Sequence, residues 1–274
     1  MAKRQYGFSF DRINKQQTWN MSAVHSHQDY ELYFLISGQR RYFLGHTIYD
    51  VTPGDLVFIP RTVLHKTVSL GSKGFDRFTI NFAASHYEAF TKIAGADLFQ
   101  AYPNGACFQF PPDKIRQIQK HFEQLETDWK GSEKWSRAAC VTTLYMLLAD
   151  CLRYGTPKPP SQEETADKIQ RVARYISEHY SQWLTLEDAA GLVHMEKTYF
   201  SKRFKALTGF GFLDYLTQTR LRAAESLLVE TELTIGNISE TCGFSGSNYF
   251  ADVFRRYHGI SPSEYRVKSR ENRL

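Results

Sequence analysis

Cysteine is scarce in this 274-residue chain, and its spacing excludes the common cysteine-based sites. The four cysteines form no CxxC pair, and none of them stands at the spacing of a structural zinc site. Cys140 and Cys242 fall on helix faces that we predict to be buried. We therefore expect free thiols in the core rather than disulfides or zinc ligands. The four residues are Cys107, Cys140, Cys151 and Cys242.

Long apolar runs are also missing from the sequence. Residues 1–4 are not followed by the apolar stretch of a signal peptide, and no later run is long enough to cross a bilayer. We therefore expect a cytoplasmic protein with no membrane partner. The apolar fraction of 42% and the aromatic fraction of 15% argue against disorder, and the length is sufficient for two folded domains.

A basic run is the third missing feature. The net charge of +5 is spread as +3 over residues 1–166 and +2 over residues 167–274, without a cluster of one sign. Since a basic patch is the usual electrostatic footprint of a DNA-binding domain, charge alone gives little support for a nucleic-acid partner. Such an assignment has to rest on sequence motifs.

A motif that occurs twice organises the C-terminal part of the sequence. Residues 185–209 and 234–259 repeat one pattern, in which a short helix and a tight turn precede a second helix. The second helix of each copy carries phenylalanine at positions i and i+4, so both rings lie on one face. Each copy is therefore predicted to be a helix-turn-helix unit. These phenylalanines are Phe200 and Phe204 in the first unit, and Phe250 and Phe254 in the second.

One uninterrupted helix is predicted to connect the two units. It spans residues 212–229, and its apolar residues recur at helical spacing. A single rigid helix would fix the separation and phase of the units, so that their second helices could enter successive major-groove segments roughly 34 Å apart. The candidates for its buried face are Leu213, Leu216, Leu221, Ala224, Leu227 and Leu228.

The doubled motif and its connecting helix closely resemble the DNA-binding domain of AraC/XylS-type transcriptional regulators. The resemblance covers about residues 168–268, and it implies that double-stranded promoter DNA is a partner and that the second helix of each unit reads bases. The residues that carry it include Arg220-Leu221, Gly243-Phe244, Gly259 and Ser261-Pro262. The positions that match the family's reading positions are Thr198, Ser201 and Lys202 in the first unit, and Ser247, Asn248, Ala251 and Asp252 in the second.

The side chains at these positions allow base recognition. Lys202 can donate to guanine and Asn248 can pair with adenine, whereas Asp252 can accept from cytosine or repel phosphate. The alternative is that each is an ordinary solvated surface residue. Glu196 and Gly211 replace hydroxyl caps of the family's pattern, and Asp252 replaces a basic residue, so the DNA sequence preference is the property that these departures affect.

Residues 5–82 have the pattern of β-structure. Short apolar and aromatic runs at 30–36, 41–48 and 55–59 are separated by turns with glycine or proline. Several short strands at this spacing predict a sandwich or a small barrel.

Histidine and glutamate recur in this β-region at the spacing of cupin motifs. The pattern H-x-H-x3-E-x6-G is followed by G-x5-P-x4-H, and together they resemble the cupin family over roughly residues 17–85. Many AraC-type regulators carry such a barrel as their sensor, so the two resemblances agree. The candidate residues are His25, His27, Glu31 and His65.

Three interpretations of this set remain open. In metal-dependent cupins these positions bind a divalent ion, and three imidazoles with one carboxylate suit Fe, Mn, Ni or Zn. Alternatively, the set lines a polar pocket for a small-molecule effector, with Tyr33 and either Arg40 or Arg41 contributing. The third interpretation is a filled barrel, in which these side chains hydrogen-bond to one another and to the backbone. No other cofactor is expected.

Two helices and a linker are predicted between the barrel and the doubled motif. Apolar residues at intervals of three and four predict a helical pair, which packs on the barrel or, as is common in AraC-type proteins, forms a homodimer interface. A polar, proline-rich segment without apolar periodicity follows and is predicted to be a linker. The expected domains are a barrel at 1–110, the helical pair at 111–154, the linker at 155–166 and a DNA-binding domain at 167–274.

These features predict an α+β protein, with an N-terminal cupin-like β-barrel, two following helices and an all-α C-terminal domain of two helix-turn-helix units. The resemblance implies a sequence-specific transcription regulator, not an enzyme, that responds to a small-molecule effector such as a carbohydrate and acts with RNA polymerase. Activation is commoner than repression in the family. The alternatives are a metal-dependent cupin enzyme or metal sensor fused to a DNA-binding module, and a ligand-independent DNA-binding protein.

Overall fold

The structure is a computed structural model that describes residues 7–17, 29–71 and 73–271. The chain divides into two compact units, one of Met1–Ala166 with Leu207–Gly209 and one of Asp167–Ala206 with Phe210–Leu274. The first unit contains the antiparallel sheets and the second is helical, so the α+β class predicted from the sequence is confirmed. Within the described ranges, no helix is long and apolar enough to span a membrane.

Nine strands of the described residues form two antiparallel sheets. The strands are β1 (Phe8–Lys15), β2 (Tyr30–Ser37), β3 (Arg40–Leu44), β4 (Thr47–Val51), β5 (Leu56–Ile59), β6 (His65–Ser69), β7 (Phe75–Phe82), β8 (Ala106–Gln109) and β9 (Thr156–Pro157). The larger sheet has the order β1-β7-β2-β5-β8-β9 and the smaller one has the order β4-β3-β6. The two sheets share a core, which is the sandwich-like arrangement predicted from the short strands.

The larger sheet is buried on both faces. On β2, Tyr33 and Leu35 join the core shared with the smaller sheet, whereas Leu32 and Phe34 belong to a second core. Neighbouring residues of a strand point to opposite faces, so burial of both faces requires apolar residues at successive positions. This explains why the sequence of β2 is a dense apolar run instead of an alternating one.

Helices cover the outer face of the larger sheet. They are α1 (Ala84–Ala94), α2 (Leu98–Ala101), α3 (Pro112–Lys130) and α4 (Ser136–Tyr154), and the last two are the helical pair predicted from the sequence. Phe122 of α3 stacks on Phe34 and Phe78 of the sheet, with ring centroids 5.2 and 5.3 Å apart. All four cysteines of the chain are buried free thiols, as the sequence predicted.

The segment predicted to be a linker is held against the first unit over residues 156–163, which we call the strap. Its backbone pairs with β8 through β9, and the Ser161 N–H donates to the Ile48 carbonyl over 2.7 Å. Arg41 donates to Asp50 and to Glu163, each over 2.7 Å, and therefore ties the strap to β4. Composition alone did not predict this, because proline and polar residues are equally typical of free linkers.

The Asp50 carboxylate accepts hydrogen bonds from Arg41 and from the Ser161 hydroxyl of the strap, over 2.7 Å each. Burial opposes ionisation, but donation from Arg41 and Ser161 outweighs it and lowers the pKa of Asp50 below its ordinary value. A carboxylate whose pKa is lower in the folded chain than in the unfolded chain stabilises the folded state at pH values above its unfolded-state pKa, which is near 4. That contribution is lost as the pH falls through the folded-state pKa. The strap contact is therefore complete at neutral pH.

Between the strap and residue 271, the structure describes seven helices: α5 (Glu164–His179), α6 (Leu186–Gly191), α7 (Lys197–Thr208), α8 (Phe212–Glu230), α9 (Ile235–Thr241), α10 (Ser247–His258) and α11 (Pro262–Glu271). Helix α5 begins at Glu164, directly after the strap. Thr185 and Asp188 form a reciprocal capping box at α6, and Ser261 and Glu264 form the same pair at α11. Helix α8 is the predicted connecting helix.

One residue of the predicted buried face of α8 is exposed. Leu216, Leu221, Ala224 and Leu228 are buried and Leu227 is partly buried, as predicted, but Leu213 is 68% exposed. Phe212 and Tyr215 are buried instead, because the ring of Phe204 packs against both of them. The buried stripe therefore starts at Phe212, one position earlier than predicted, and the helix itself is as predicted.

Candidate functional site

The two helix-turn-helix units have the same turn. In the first unit the Met195 N–H donates to the Ala190 carbonyl over 3.0 Å, and in the second the Phe244 N–H donates to the Ser239 carbonyl over 3.0 Å. The residue before each of these donors has a positive φ, +52° at His194 and +77° at Gly243. The repeat seen in the sequence is therefore a repeat of backbone geometry.

Glu196 caps helix α7 although its side chain is longer than that of a usual cap. Its carboxylate accepts from the backbone N–H groups of Thr198 and Tyr199, each over 2.8 Å. These hydrogen bonds lower the pKa of Glu196, so the side chain is ionised at neutral pH and also favours the positive end of the helix dipole. The departure from the family's pattern at this position leaves the start of α7 intact.

Helix α7 presents the predicted reading positions of the first unit on its outer side. Thr198 and Lys202 are exposed and Ser201 is half-buried, whereas Phe200 and Phe204 on the opposite side are fully buried. The buried rings lie 5.5 Å apart and fix the rotation of the helix about its axis. The polar side chains are thus held on a face that is open to a macromolecular partner.

Helix α10 repeats this division in the second unit. Ser247, Asn248 and Asp252 are exposed and Ala251 is half-buried. The Asp252 carboxylate lies 3.7 Å from the guanidinium of Arg255, one turn further along the same helix. The opposite side consists of buried residues that join the core of the second unit, namely Phe250, Val253 and Phe254.

Two arginines, Arg220 of the family's pattern and Arg266, have structural roles that the sequence alone did not reveal. Arg220 of α8 donates to the carbonyls of Tyr180 and Gln182, over 2.7 and 2.8 Å. Arg266 of α11 donates to the carbonyls of Leu228 and Leu233, over 3.2 and 2.6 Å. A guanidinium carries five donors in a fixed plane, so one side chain can satisfy several carbonyls that a helix end leaves open. These contacts fix α8 and α11 relative to neighbouring loops.

A polar group of side chains lies between the two β-sheets of the N-terminal compact unit. Glu31, Tyr33, Arg40 and His65 are all less than 10% exposed, so the predicted effector residues within the described ranges are buried together. The Tyr42 hydroxyl, which the sequence did not single out, donates to Glu31 over 3.4 Å. Tyr42 also faces Tyr33 and His65, with ring centroids 5.2 and 6.4 Å apart.

Arg40 lies at the other end of this interior. Its guanidinium donates to Thr67 and Ser69, over 3.1 and 2.7 Å, and lies 4.2 Å from the ring centre of Phe75. Burial lowers the pKa of Arg40 and raises that of Tyr33 to about 12. The interior is thus polarised, with a carboxylate and an imidazole at one end and a guanidinium at the other.

Two further arginines, Arg77 and Arg41, lie on strands that border this interior. Arg77 of β7 lies 5.7 Å from the ring centre of Tyr33 and was missed in the sequence, because it stands outside both cupin-like motifs. Arg41, which the sequence offered as the alternative to Arg40, does not face the interior. It follows Arg40 on β3 and therefore points to the opposite face, where it binds Asp50 and the strap.

The metal hypothesis depends on residues that lie partly outside the described ranges. His25 and His27 belong to residues 18–28, which the structure does not describe. Among the described residues, no group of three or more histidine, cysteine, aspartate or glutamate side chains is arranged to hold a metal ion. The described part of the predicted set consists of Glu31 and His65, and His65 Nδ1 lies 2.8 Å from the Val63 carbonyl oxygen.

Comparison with known proteins gives matches over both units. Residues 7–148 match the model of an AraC-like ligand binding domain, and residues 189–268 match that of a helix-turn-helix domain. The HTH-type transcriptional activator RhaR of Enterobacter sp. (strain 638) is 26% identical over 262 residues, which is 92% of this chain and 89% of that protein. The regulatory protein PocR of Salmonella typhimurium is 36% identical over 117 residues, which is 43% of this chain and 38% of that protein.

Solved structures also resemble the chain over most of its length. The structure of ToxT from Vibrio cholerae has 13% sequence identity and a TM-score of 0.38, and it covers 95% of this chain and 98% of its own.

Proposed function

The chain belongs to the AraC family of ligand-responsive, DNA-binding transcription regulators, and we propose that it is an activator in which α7 and α10 read promoter DNA and the barrel interior binds a small polar effector. The observation that carries the DNA half of the proposal is the repeated turn with its outward polar face, present once in each unit. A relative named as an activator supports the direction of control. Regulation would take place on promoter DNA in the cytoplasm.

The reading helices give the first test. Replacing Lys202 or Asn248 by alanine is expected to weaken binding to the specific DNA site by about 1–3 kcal/mol each, because each substitution removes donors aimed at base edges. Binding of full-length variants is measured by fluorescence anisotropy at a fixed salt concentration, against specific and scrambled duplexes.

Lys268→Ala is the matched control for these variants. Lys268 is an exposed lysine on α11, so its loss removes the same charge away from the predicted reading faces. Lys268→Ala is expected to weaken binding to the specific and the scrambled duplex equally, and only slightly. If Lys202→Ala behaves in the same way as Lys268→Ala, Lys202 does not read a base.

We propose that the effector is a sugar or a sugar acid. Glu31 and Tyr42 can accept from and donate to hydroxyl groups at one end of the interior, and Arg40 can donate to a hydroxyl or carboxylate at the other. The tyrosine rings between them offer apolar faces to the carbon skeleton. A bound metal ion is the second candidate for this interior, and its ligands would include His25 and His27.

Control of DNA binding would run through β3 and the strap. Arg40 faces the interior, and the next residue, Arg41, holds Glu163 at the end of the strap. The strap leads directly into α5. A displacement of β3 would therefore reach the segment that precedes the helical C-terminal unit in sequence. The effector would then shift the population toward the arrangement that binds DNA better.

Arg40→Met tests the effector half of the proposal. In the unmodified chain, a matching member of a panel of sugars and sugar acids raises the melting temperature by mass action. Arg40→Met is expected to abolish that rise, while changing the stability without ligand by only about 1–2 kcal/mol, since apolar residues often replace buried ions without loss. Differential scanning fluorimetry of the full chain measures both quantities.

The outcome separates effector binding from a filled core. A large drop in melting temperature, with no member of the panel affecting the unmodified chain, would favour the filled-barrel interpretation. Linkage supplies the further check that effector and DNA must change each other's affinity by the same factor.

We also propose that the protein is a homodimer and that it contacts RNA polymerase when bound to DNA. Met146 of α4 is 43% exposed, and the exposed Ala138 and Thr142 precede it at intervals of four residues, so the three share one face of the helix. This exposed face is the surface that we assign to the second protomer. Sedimentation of Met146→Glu against the unmodified chain tests the assignment.

A further inference from the structure

Lys202 and Asp252 occupy equivalent places in the two helix-turn-helix units. Each lies two residues after the first buried phenylalanine of its helix, Phe200 in α7 and Phe250 in α10. Both side chains are exposed on the outer face of the helix. The duplicated backbone therefore presents a cation at one position and a carboxylate at the same position of its repeat.

Asp252 has a polar side chain one helical turn away on either side. Asn248 lies one turn before it on the same face, and Arg255 lies one turn after it at 3.7 Å. The side chains of Asp252 and Arg255 are 71% and 59% exposed, so both reach beyond the helix surface. The guanidinium offsets part of the repulsion that a lone carboxylate would meet from DNA phosphates.

We propose that Lys202 and Asp252 give the two units opposite base preferences, guanine for the first unit and cytosine for the second. This inference rests on the proposed entry of α7 and α10 into the major groove. An ammonium group only donates, and guanine presents two acceptors there. A carboxylate only accepts, and cytosine presents the N4 amino donor with no acceptor beside it on the same base. Adenine sets its N6 donor beside the N7 acceptor, which repels a carboxylate, and guanine N7 and O6 and thymine O4 are acceptors as well.

The DNA site is therefore asymmetric even though the protein motif is repeated. The two half-sites differ at the base pair that faces Lys202 and Asp252, and a direct repeat of one half-site binds less tightly than the natural combination. Asymmetry of this kind fixes the direction in which the chain lies on DNA. It is a property of this sequence, since a basic residue at position 252 would give both units the same preference.

Selection from a random duplex library tests the inference. Full-length unmodified chain and Asp252→Asn are each allowed to enrich sequences at one salt concentration, and the bound pools are sequenced. The unmodified chain is expected to enrich guanine in one half-site and cytosine at the equivalent place in the other. Asp252→Asn is expected to shift the preference at that position from cytosine to adenine, because asparagine pairs with adenine. The ratio of adenine to cytosine in the selected pool should rise by about tenfold, and the other positions should stay unchanged.

Glu240→Gln serves as the control, since Glu240 is an exposed carboxylate on α9, outside the predicted reading faces. It removes the same charge and is expected to leave the selected sequence unaltered. A uniform gain in affinity for every sequence with Asp252→Asn, without a change at any position, would overturn the inference and reduce Asp252 to a phosphate-repelling residue. Failure of the unmodified chain to enrich any sequence would instead overturn the proposed function on which the inference rests.

Discussion

Phe254→Ala is expected to destabilise the second helix-turn-helix unit by about 3–5 kcal/mol. Phe254 is fully buried, and its ring lies 5.6 Å from that of Phe250, 4.1 Å from that of His258 and 5.3 Å from that of Tyr265. The substitution removes an aromatic side chain that joins α10 to α11, and the surrounding rings cannot fully close the cavity. A loss of about 3–5 kcal/mol is a large fraction of the roughly 5–15 kcal/mol by which a folded domain is stable, so α10 is expected to lose its fixed orientation.

Hydrogen exchange of the full chain measures this effect locally, which matters because a two-unit chain need not unfold in one step. Amides of α10 and α11 are expected to exchange faster in Phe254→Ala, and amides of β2 and β7 are expected to remain unchanged. Tyr257→Ala is the control on the same helix, because Tyr257 is 44% exposed and its loss is expected to alter stability by about 0.5 kcal/mol or less. Equal effects of the two variants would show that Phe254 does not hold the helix.

Gly243→Ala is expected to destabilise the same unit by about 2 kcal/mol or more. Gly243 has a φ of +77°, where alanine is strained, and an added Cβ would lie 2.5 Å from the Ser181 carbonyl oxygen. Relief of that contact requires the turn to move, because the opposing atom belongs to the backbone. The displaced turn would change the angle at which α10 leaves it, so specific DNA binding is expected to fall together with stability.

His194→Gly is the matched substitution in the first unit. His194 holds the equivalent position with a φ of +52° and is exposed, so glycine there is expected to be neutral or to stabilise by up to about 1 kcal/mol. Calorimetric melting of the two variants and the unmodified chain gives the comparison. A destabilising His194→Gly of the same size as Gly243→Ala would contradict the equivalence of the two turns.

The parts of the fold that the sequence predicted best are those with strong local patterns. Phenylalanines at positions i and i+4 and the uninterrupted helical spacing of residues 212–229 are signals within a short stretch, and the structure places α7, α10 and α8 there. Leu213 shows the limit of this approach. Helical spacing allowed either Leu213 or Phe212 on the buried face, and only the packing of Phe204 decides for Phe212.

The parts that the sequence did not predict depend on contacts between distant residues. Arg41 binds Glu163 across 122 positions of the sequence, and nothing in the polar composition of the strap reveals that pairing. Arg77 joins the interior only because β7 pairs with β2, with Arg77 opposite Leu35 and Thr79 opposite Tyr33. By contrast, strand alternation could have separated Arg40 from Arg41 in advance, since adjacent residues on β3 point to opposite faces.

We propose that the two helix-turn-helix units, joined by α8, read one DNA site together. The direct test is the affinity of the full chain for its selected duplex and for a duplex with about 5 base pairs inserted between the half-sites, which is half a helical turn. Because a rigid helix fixes the phase of the units, the insertion is expected to reduce the affinity by at least about tenfold, to that of a single half-site. An unchanged affinity after the insertion would contradict the claim, since it would mean that the two units do not bind the site as one reader.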